Sequence, residues 1–307
     1  MVVPPVIAVL GPTASGKSAL AVALAERMAA GGTPAEIVNA DSMLVYRGMD
    51  IGTAKPHPTE LARVRHHLVD VLEVTRTSSI ALIQQMARSA IEDCAARRVL
   101  PLVVGGSALY SRAVLDELEI PPTDPAVRSR LEAELDDVGA EQLHRRLARL
   151  DPAAAAAILP GNGRRIVRAL EVVELTGSFS ATLPDGRFHY PGTVEIGLTL
   201  SREDLDARIQ QRVDQMWSEG LVAEVRGLVE AGLRQGRTAS RALGYRQVLD
   251  LLDGRIDEDR ARTDTVVRTR RFARKQLMWY RRDPRIHWFD ALDPDLVDRV
   301  LEGLESR

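Results

Sequence analysis

Residues Gly11-Pro12-Thr13-Ala14-Ser15-Gly16-Lys17-Ser18 form a complete G-x-x-x-x-G-K-[ST] phosphate loop. In such a loop the glycines let backbone N–H groups turn toward an anion. Lys17 adds a point charge, Ser18 can ligate a magnesium ion, and the N-terminus of the following helix adds its dipole. The motif recognises a phosphate or diphosphate without saying what carries it, and ATP is only its commonest owner. Two further polar residues follow short apolar runs. Asp41 comes after Glu36-Ile37-Val38-Asn39-Ala40; a carboxylate there can bind magnesium, act as a general base or cap the next turn. Ser107 follows Gly105-Gly106, where its hydroxyl can donate to a substrate oxygen or simply belong to a tight turn that the glycines permit. Arg208 and Arg212 are spaced to share one helix face. Arg212 reaches an anion if that helix packs over the strand ends.

A second class of residue is basic and clustered. Arg268, Arg270, Arg271, Arg274, Lys275, Arg281, Arg282 and Arg285 stand together against one acid, Asp283, and Arg164, Arg165 and Arg168 form another group. Arg241-Ala242-Leu243-Gly244-Tyr245-Arg246 joins arginines to a tyrosine at a helix start, and Lys275, Trp279, Tyr280 and Arg281 repeat the mixture. Such sets suit a clamp on a nucleic-acid backbone with an aromatic stacking surface. The net charge of −2 alone argues against that partner, but segregation of charge within a neutral chain is what a polyanion footprint looks like. His66 and His67 have no acidic partner at metal-site spacing and read as structural, Trp217 reads as core, and the lone Cys94 reads as a small buried residue.

These groups need a scaffold that gathers them. Val6–Leu10, 36–40, His67–Val71 and Val99–Val104 read as short buried strands separated by helical stretches, Ala19–Ala30 and Ile80–Arg97 among them. That alternation predicts a parallel sheet flanked by helices, with ligands at the carboxyl ends of the strands, where the phosphate loop, Asp41 and Ser107 all fall. After Pro121-Pro122-Thr123-Asp124-Pro125 the pattern becomes wholly helical (126–137, 140–150, 152–159, 163–176). The expected organisation is therefore an α/β core of residues 1–120 and 178–307 with an all-α lobe, 121–177, inserted in it. An extended segment, Thr193–Leu200, precedes long helices at 203–231, 239–252 and 257–282 and a short strand at Ile286–Phe289. At 307 residues, 45% hydrophobic and 27% charged, the chain reads as a soluble globular protein. No apolar stretch is long enough to cross a bilayer, no signal peptide is evident, and the expected compartment is the cytoplasm.

Taken together, the phosphate loop, residues 41–56 (DSMLVYRGMDIGTAKP), 104–110 (VGGSALY), 165–171 (RIVRALE) and Gly244-Tyr245-Arg246-Gln247 resemble those of bacterial tRNA dimethylallyltransferases, the IPP transferase family, over residues 6–290. The resemblance implies a P-loop NTPase-like fold and transfer of a dimethylallyl group from dimethylallyl diphosphate to the exocyclic amine of the adenine 3′ of a tRNA anticodon. Pyrophosphate leaves. The loop then holds the isoprenoid diphosphate with Mg2+ at Ser18, Asp41 is the general base, Ser107 sits beside it and Arg212 contacts the diphosphate. The resemblance also assigns RNA contacts to Asp41, Ser42, Met43, Leu44, Ser107, Arg128, Arg164, Arg165, Arg168, Arg241, Gly244, Tyr245, Arg246, Arg274, Lys275, Gln276, Trp279 and Arg281, with the anticodon stem-loop as partner and a monomer as the working form. Two positions depart from the pattern: Ser107 replaces the usual threonine, and Gly161-Asn162-Gly163 differs from the usual Asn-Asp. Two rival readings are a P-loop kinase of a small molecule, which leaves the basic C-terminal helices idle, and a prenyltransferase of free adenine nucleotides, which needs no RNA surface.

Overall fold

The structure, a computed structural model, describes residues 6–180 and 186–305. The strands are β1 (Ile7–Leu10), β2 (Ala35–Asn39), β3 (His66–His67), β4 (Leu100–Gly105), β5 (Val194–Thr199) and β6 (Ile286–Asp290). They form one sheet in the order β3-β2-β4-β1-β5-β6, and every pairing is parallel. A parallel sheet must be covered on both faces, and β1 shows that directly. Its Ala8 and Leu10 enter one apolar cluster with Val38 and Val103, while Ile7 and Val9 enter another with Leu102, Ile196 and Leu198.

The helices are α1 (Lys17–Ala30), α2 (Pro58–Arg63), α3 (Ile80–Ala96), α4 (Ala108–Leu115), α5 (Pro125–Val138), α6 (Ala140–Leu150), α7 (Pro152–Ala156), α8 (Gly163–Thr176), α9 (Arg202–Ser218), α10 (Leu221–Glu230), α11 (Tyr245–Leu252), α12 (Glu258–Tyr280) and α13 (Leu296–Glu305). Their starts are chemically marked. Ser79, Asp124, Ser201 and Asp257 each accept a hydrogen bond from a first-turn amide, as N-cap residues do. Two compact units result: residues 1–116 with 188–307, and residues 117–187. The smaller unit is the helical one, α5–α8 around Leu131, Leu143, Leu147, Ile166 and Leu170.

The sequence reading fails at three places for local reasons. The strand expected over His67–Val71 ends at His67, because Leu68 and Asp70 adopt φ of 61° and 56°. The helix expected over 203–231 is two helices, broken where Gly220 takes φ 95°. The helix expected from 239 begins at Tyr245, after a 3-10 turn at Ala239–Arg241 and Gly244 at φ 84°. In addition, α13 carried no expectation.

His67 also has an acidic partner that its spacing in sequence did not show. Glu36, on the neighbouring strand, meets His67 Nε2 at 2.6 Å and is gripped by both terminal nitrogens of Arg97, at 2.7 and 2.6 Å. Arg97 is the largest influence on Glu36; despite partial burial, Arg97 and His67 hold the carboxyl down at about 2. Buried Cys94 lies 3.6 Å from Glu36, and burial first, then the Glu36 charge, push its thiol up to about 12.

Candidate active site

The phosphate loop occupies the centre of the sheet, between the end of β1 and the start of α1. Gly11, at φ 148°, lies so close to β5 that a Cβ would sit 3.0 Å from the Leu198 carbonyl oxygen. Gly16 enters α1 at φ 95°. Lys17 Nζ donates to the Pro12 carbonyl at 2.7 Å. Burial and then the adjacent Arg212 guanidinium lower its pKa to about 7, against the opposing pull of Asp41. Arg212 reaches the loop from α9 and donates to Thr13 Oγ1 at 3.1 Å; burial, then the like charge of Arg208, lower its pKa as well. Two guanidiniums and an ammonium facing one loop make a site short of anions, which is what an anion would relieve.

The loop opens into a cavity of about 280 Å3 lined by Thr13, Lys17, Ser18, Asp41, Phe272 and Gln276, among others. Asp41 is aimed into it by Asn39, a buried residue at the end of β2. Asn39 Oδ1 accepts the Asp41 amide at 2.8 Å, while its Nδ2 donates to the carbonyls of Asp41 and Leu68, each at 3.0 Å. Asp41 Oδ1 then accepts the Met43 amide at 2.8 Å, so one oxygen does cap the next turn. Its other oxygen, Oδ2, lies near Gly106: a Cβ there would be 3.8 Å from Asp41 Oδ2, 3.8 Å from Lys17 Nζ and 2.9 Å from Gln276 Nε2. The general-base and turn-capping readings of Asp41 thus use different oxygens. Ser107 is the N-cap of α4 but its hydroxyl makes no capping bond, and it borders the cavity only through its neighbours Gly105 and Gly106. Of Ser42, Met43 and Leu44, Leu44 lines the cavity, whereas Met43 packs on the core.

A second opening of about 380 Å3 shares Ala14, Gly16 and Arg212 with the first and adds Ile51, Ala54, Arg208, Gln215 and Glu219. Its wall is the 50–54 loop, held by a residue that sequence reasoning missed. Glu224 accepts the amides of Asp50, Ile51 and Gly52 at 3.0, 2.7 and 3.3 Å and the Tyr245 hydroxyl at 2.6 Å.

That contact corrects one expectation. Tyr245 is fully buried and fills the space over Gly52, where no Cβ would fit; it offers no face for stacking on a base. Burial and the Glu224 charge push its phenol well above the ordinary range. Arg128 and Arg168 are corrected in the same sense, since both are paired with Glu171, whose side chain is 0% exposed. Arg168 also donates to the carbonyls of Pro121 and Pro122 at 2.7 and 2.9 Å. Burial raises the Glu171 pKa, but bonds from Arg128, Thr123 and Arg168 outweigh it and hold the carboxyl near 2. The remaining basic residues fit the footprint better. Arg246 makes an exposed i,i+4 pair with Asp250 at 3.2 Å. Lys275 and Arg281 are exposed on or just beyond α12. Trp279 is half exposed, with Arg282 5.2 Å above its ring. Arg164, Arg241 and Arg274 make no ion pair among the described residues, and Gly244 is the turn that admits Tyr245 to its pocket.

The chain is similar to known proteins along nearly its whole length. A family model described as IPP transferase matches residues 44–283. The tRNA dimethylallyltransferase of Cutibacterium acnes is 63% identical over 297 residues, 97% of this chain and 93% of that protein. That of Thermobifida fusca is 62% identical, covering 96% and 93%. Among solved structures, the tRNA isopentenylpyrophosphate transferase of Bacillus halodurans superposes with a TM-score of 0.70 at 39% identity, covering 98% of this chain and 95% of that one. A eukaryotic dimethylallyltransferase acting on tRNA shares the fold at TM-score 0.77 and 23% identity. With its phosphate loop, its carboxylate at the end of β2 and this extent of likeness, the chain belongs to the IPP transferase family.

Proposed function

We propose that the chain transfers a dimethylallyl group from dimethylallyl diphosphate to the exocyclic amine of the adenine 3′ of the anticodon in tRNA. The observation that carries this reading is the meeting of Asp41 Oδ2 and Lys17 Nζ around Gly106 in one cavity. A proton acceptor and an anion-binding cation therefore face the same small space. In the reaction the bond from the donor's first carbon to the diphosphate oxygen breaks and a bond from that carbon to the adenine amine forms. The amine proton passes to Asp41 Oδ2, which offsets the weak nucleophilicity of an aromatic amine. Pyrophosphate leaves with the electron pair, and Lys17, Arg212 and the loop amides stabilise its growing charge.

The chain's residues also suit magnesium. Ser18 lines the cavity together with Asp41, Thr53 and Glu60, oxygen-bearing residues of the kind that ion takes, and magnesium held by Ser18 would supply further neutralisation of the diphosphate. Arg164, Arg241, Arg246, Arg274, Lys275 and Arg281 would meet the phosphates of the anticodon stem-loop, offsetting the roughly few kcal/mol needed to turn the base out of its stack. Among the described residues no helix is long and apolar enough to cross a membrane, and we read the chain as a cytoplasmic monomer.

The test is incubation with labelled dimethylallyl diphosphate, magnesium and unmodified tRNA, without ATP. Label in the tRNA, located at that adenine by mass spectrometry of its nucleosides, is the expected outcome. Label transfer that requires ATP, or equal rates with free AMP, would overturn the assignment.

A further inference from the structure

Gln276 stands where the two halves of the site meet. It lies on α12, only 6% exposed, and lines the cavity beside Asp41. Its Oε1 accepts the Thr13 amide at 2.9 Å. Because that amide can only donate, the bond fixes which end of the Gln276 side chain is oxygen and which is nitrogen. Nε2 is thereby turned toward Gly106, where a Cβ would lie 2.9 Å from it and 3.8 Å from Asp41 Oδ2. The cavity thus presents a fixed donor and a free acceptor side by side. One turn earlier on the same helix, Phe272 lines the cavity with 43% of its surface exposed, an apolar face at the mouth.

We propose that Gln276 is a specificity-determining residue, whose Nε2 donates to the adenine ring nitrogen flanking the reacting amine while Asp41 Oδ2 accepts from that amine. This rests on the transfer to adenine proposed above. A donor-acceptor pair of this kind complements adenine's amine and its neighbouring N1 or N7. Guanine would set its O6 against the Asp41 carboxylate, acceptor against acceptor. The same glutamine is tethered through Thr13 to the loop that Arg212 grips from the other side. Base reading and diphosphate binding therefore share one residue of the phosphate loop.

The test is a chemical double-mutant cycle. Wild type, Gln276→Ala and Gln276→Glu are assayed with anticodon stem-loops carrying adenine, 1-deazaadenine or 7-deazaadenine at the modified position. Gln276→Glu keeps an oxygen for Thr13 but removes the donor. Pyrophosphate affinity, measured by calorimetry on each variant, reports whether the loop and fold are intact. We expect one deaza analogue to lower wild-type kcat/KM about 10- to 100-fold and to cost neither variant anything further, because the lost contact is the same one. Which analogue does so identifies N1 or N7. If both analogues cost the variants the same factor as wild type, Gln276 does not read the base and the inference fails. If wild type modifies no adenine stem-loop at all, it is the proposed function that fails instead.

Discussion

Tyr245 allows a substitution that separates two roles cleanly. Tyr245→Phe keeps an aromatic ring of the same shape and removes only the hydroxyl that donates to Glu224 at 2.6 Å. A stacking role toward RNA would survive the change. The pinning role would not, because the bond is partly buried and its acceptor is a carboxylate. Hydrogen bonds to charged groups contribute about 1.5–3 kcal/mol, so urea denaturation should show a loss of that size. Glu224→Gln is the broader form of the same experiment. The carboxylate now serves four donors with two oxygens, and an amide offers a single oxygen that accepts two. At least two donors lose their acceptor, and because the Asp50 amide is exposed and the other bonds are only partly buried, water replaces part of what is lost, so a loss of about 1–3 kcal/mol is expected. The functional readout follows from position. Ile51 and Ala54 line one opening and Thr53 the other, so loosening the loop should raise KM for the donor and leave tRNA affinity unchanged. Unchanged stability of Tyr245→Phe would refute the reasoning.

Three further outcomes are expected. Lys17 has its pKa lowered to about 7 in the free site, so at pH 8 roughly nine in ten molecules carry it neutral. A bound diphosphate favours the charged form and raises that pKa, so binding at pH 8 should take up close to one proton and weaken as pH rises above 7. Calorimetry in buffers of different ionisation enthalpy reads this, and identical enthalpies across buffers would exclude it. Lys275→Ala should flatten the salt dependence of tRNA binding by about one unit of slope and leave stability alone. Arg128→Ala, which uncovers the buried Glu171, should instead destabilise the helical unit by about 3 kcal/mol. That is the low end for a broken buried pair, because Arg168 and Thr123 still hold the carboxylate. The reverse pattern would return Arg128 to the RNA surface.

The sheet and the phosphate loop were legible because their signals are local. Buried parallel strands are short apolar runs, and a helix start needs only a cap and a period. Asp41 was legible for the same reason, standing directly after such a run. What escaped depends on partners distant in sequence. Asn39 looks like the last residue of a strand, yet three hydrogen bonds make it the support of Asp41. Glu224 looks like one more helix surface acid until residues 50–52 fold against it. Tyr245 and Arg128 were misread because composition gives a side chain's type and not its surroundings. Both looked like parts of a surface and are fastened to carboxylates inside their own units.

The break at Gly220 has one more consequence. Arg212 on α9 touches the phosphate loop and Glu224 on α10 touches the 50–52 loop, and only Glu219 and the left-handed Gly220 separate the two helices. Inserting a single residue between Gly220 and Glu224 would swing that carboxylate by about 100° around its helix axis. The stretch from Arg212 to Glu224 thus works as a ruler, and its length should be far less free to vary than the loops that surround it.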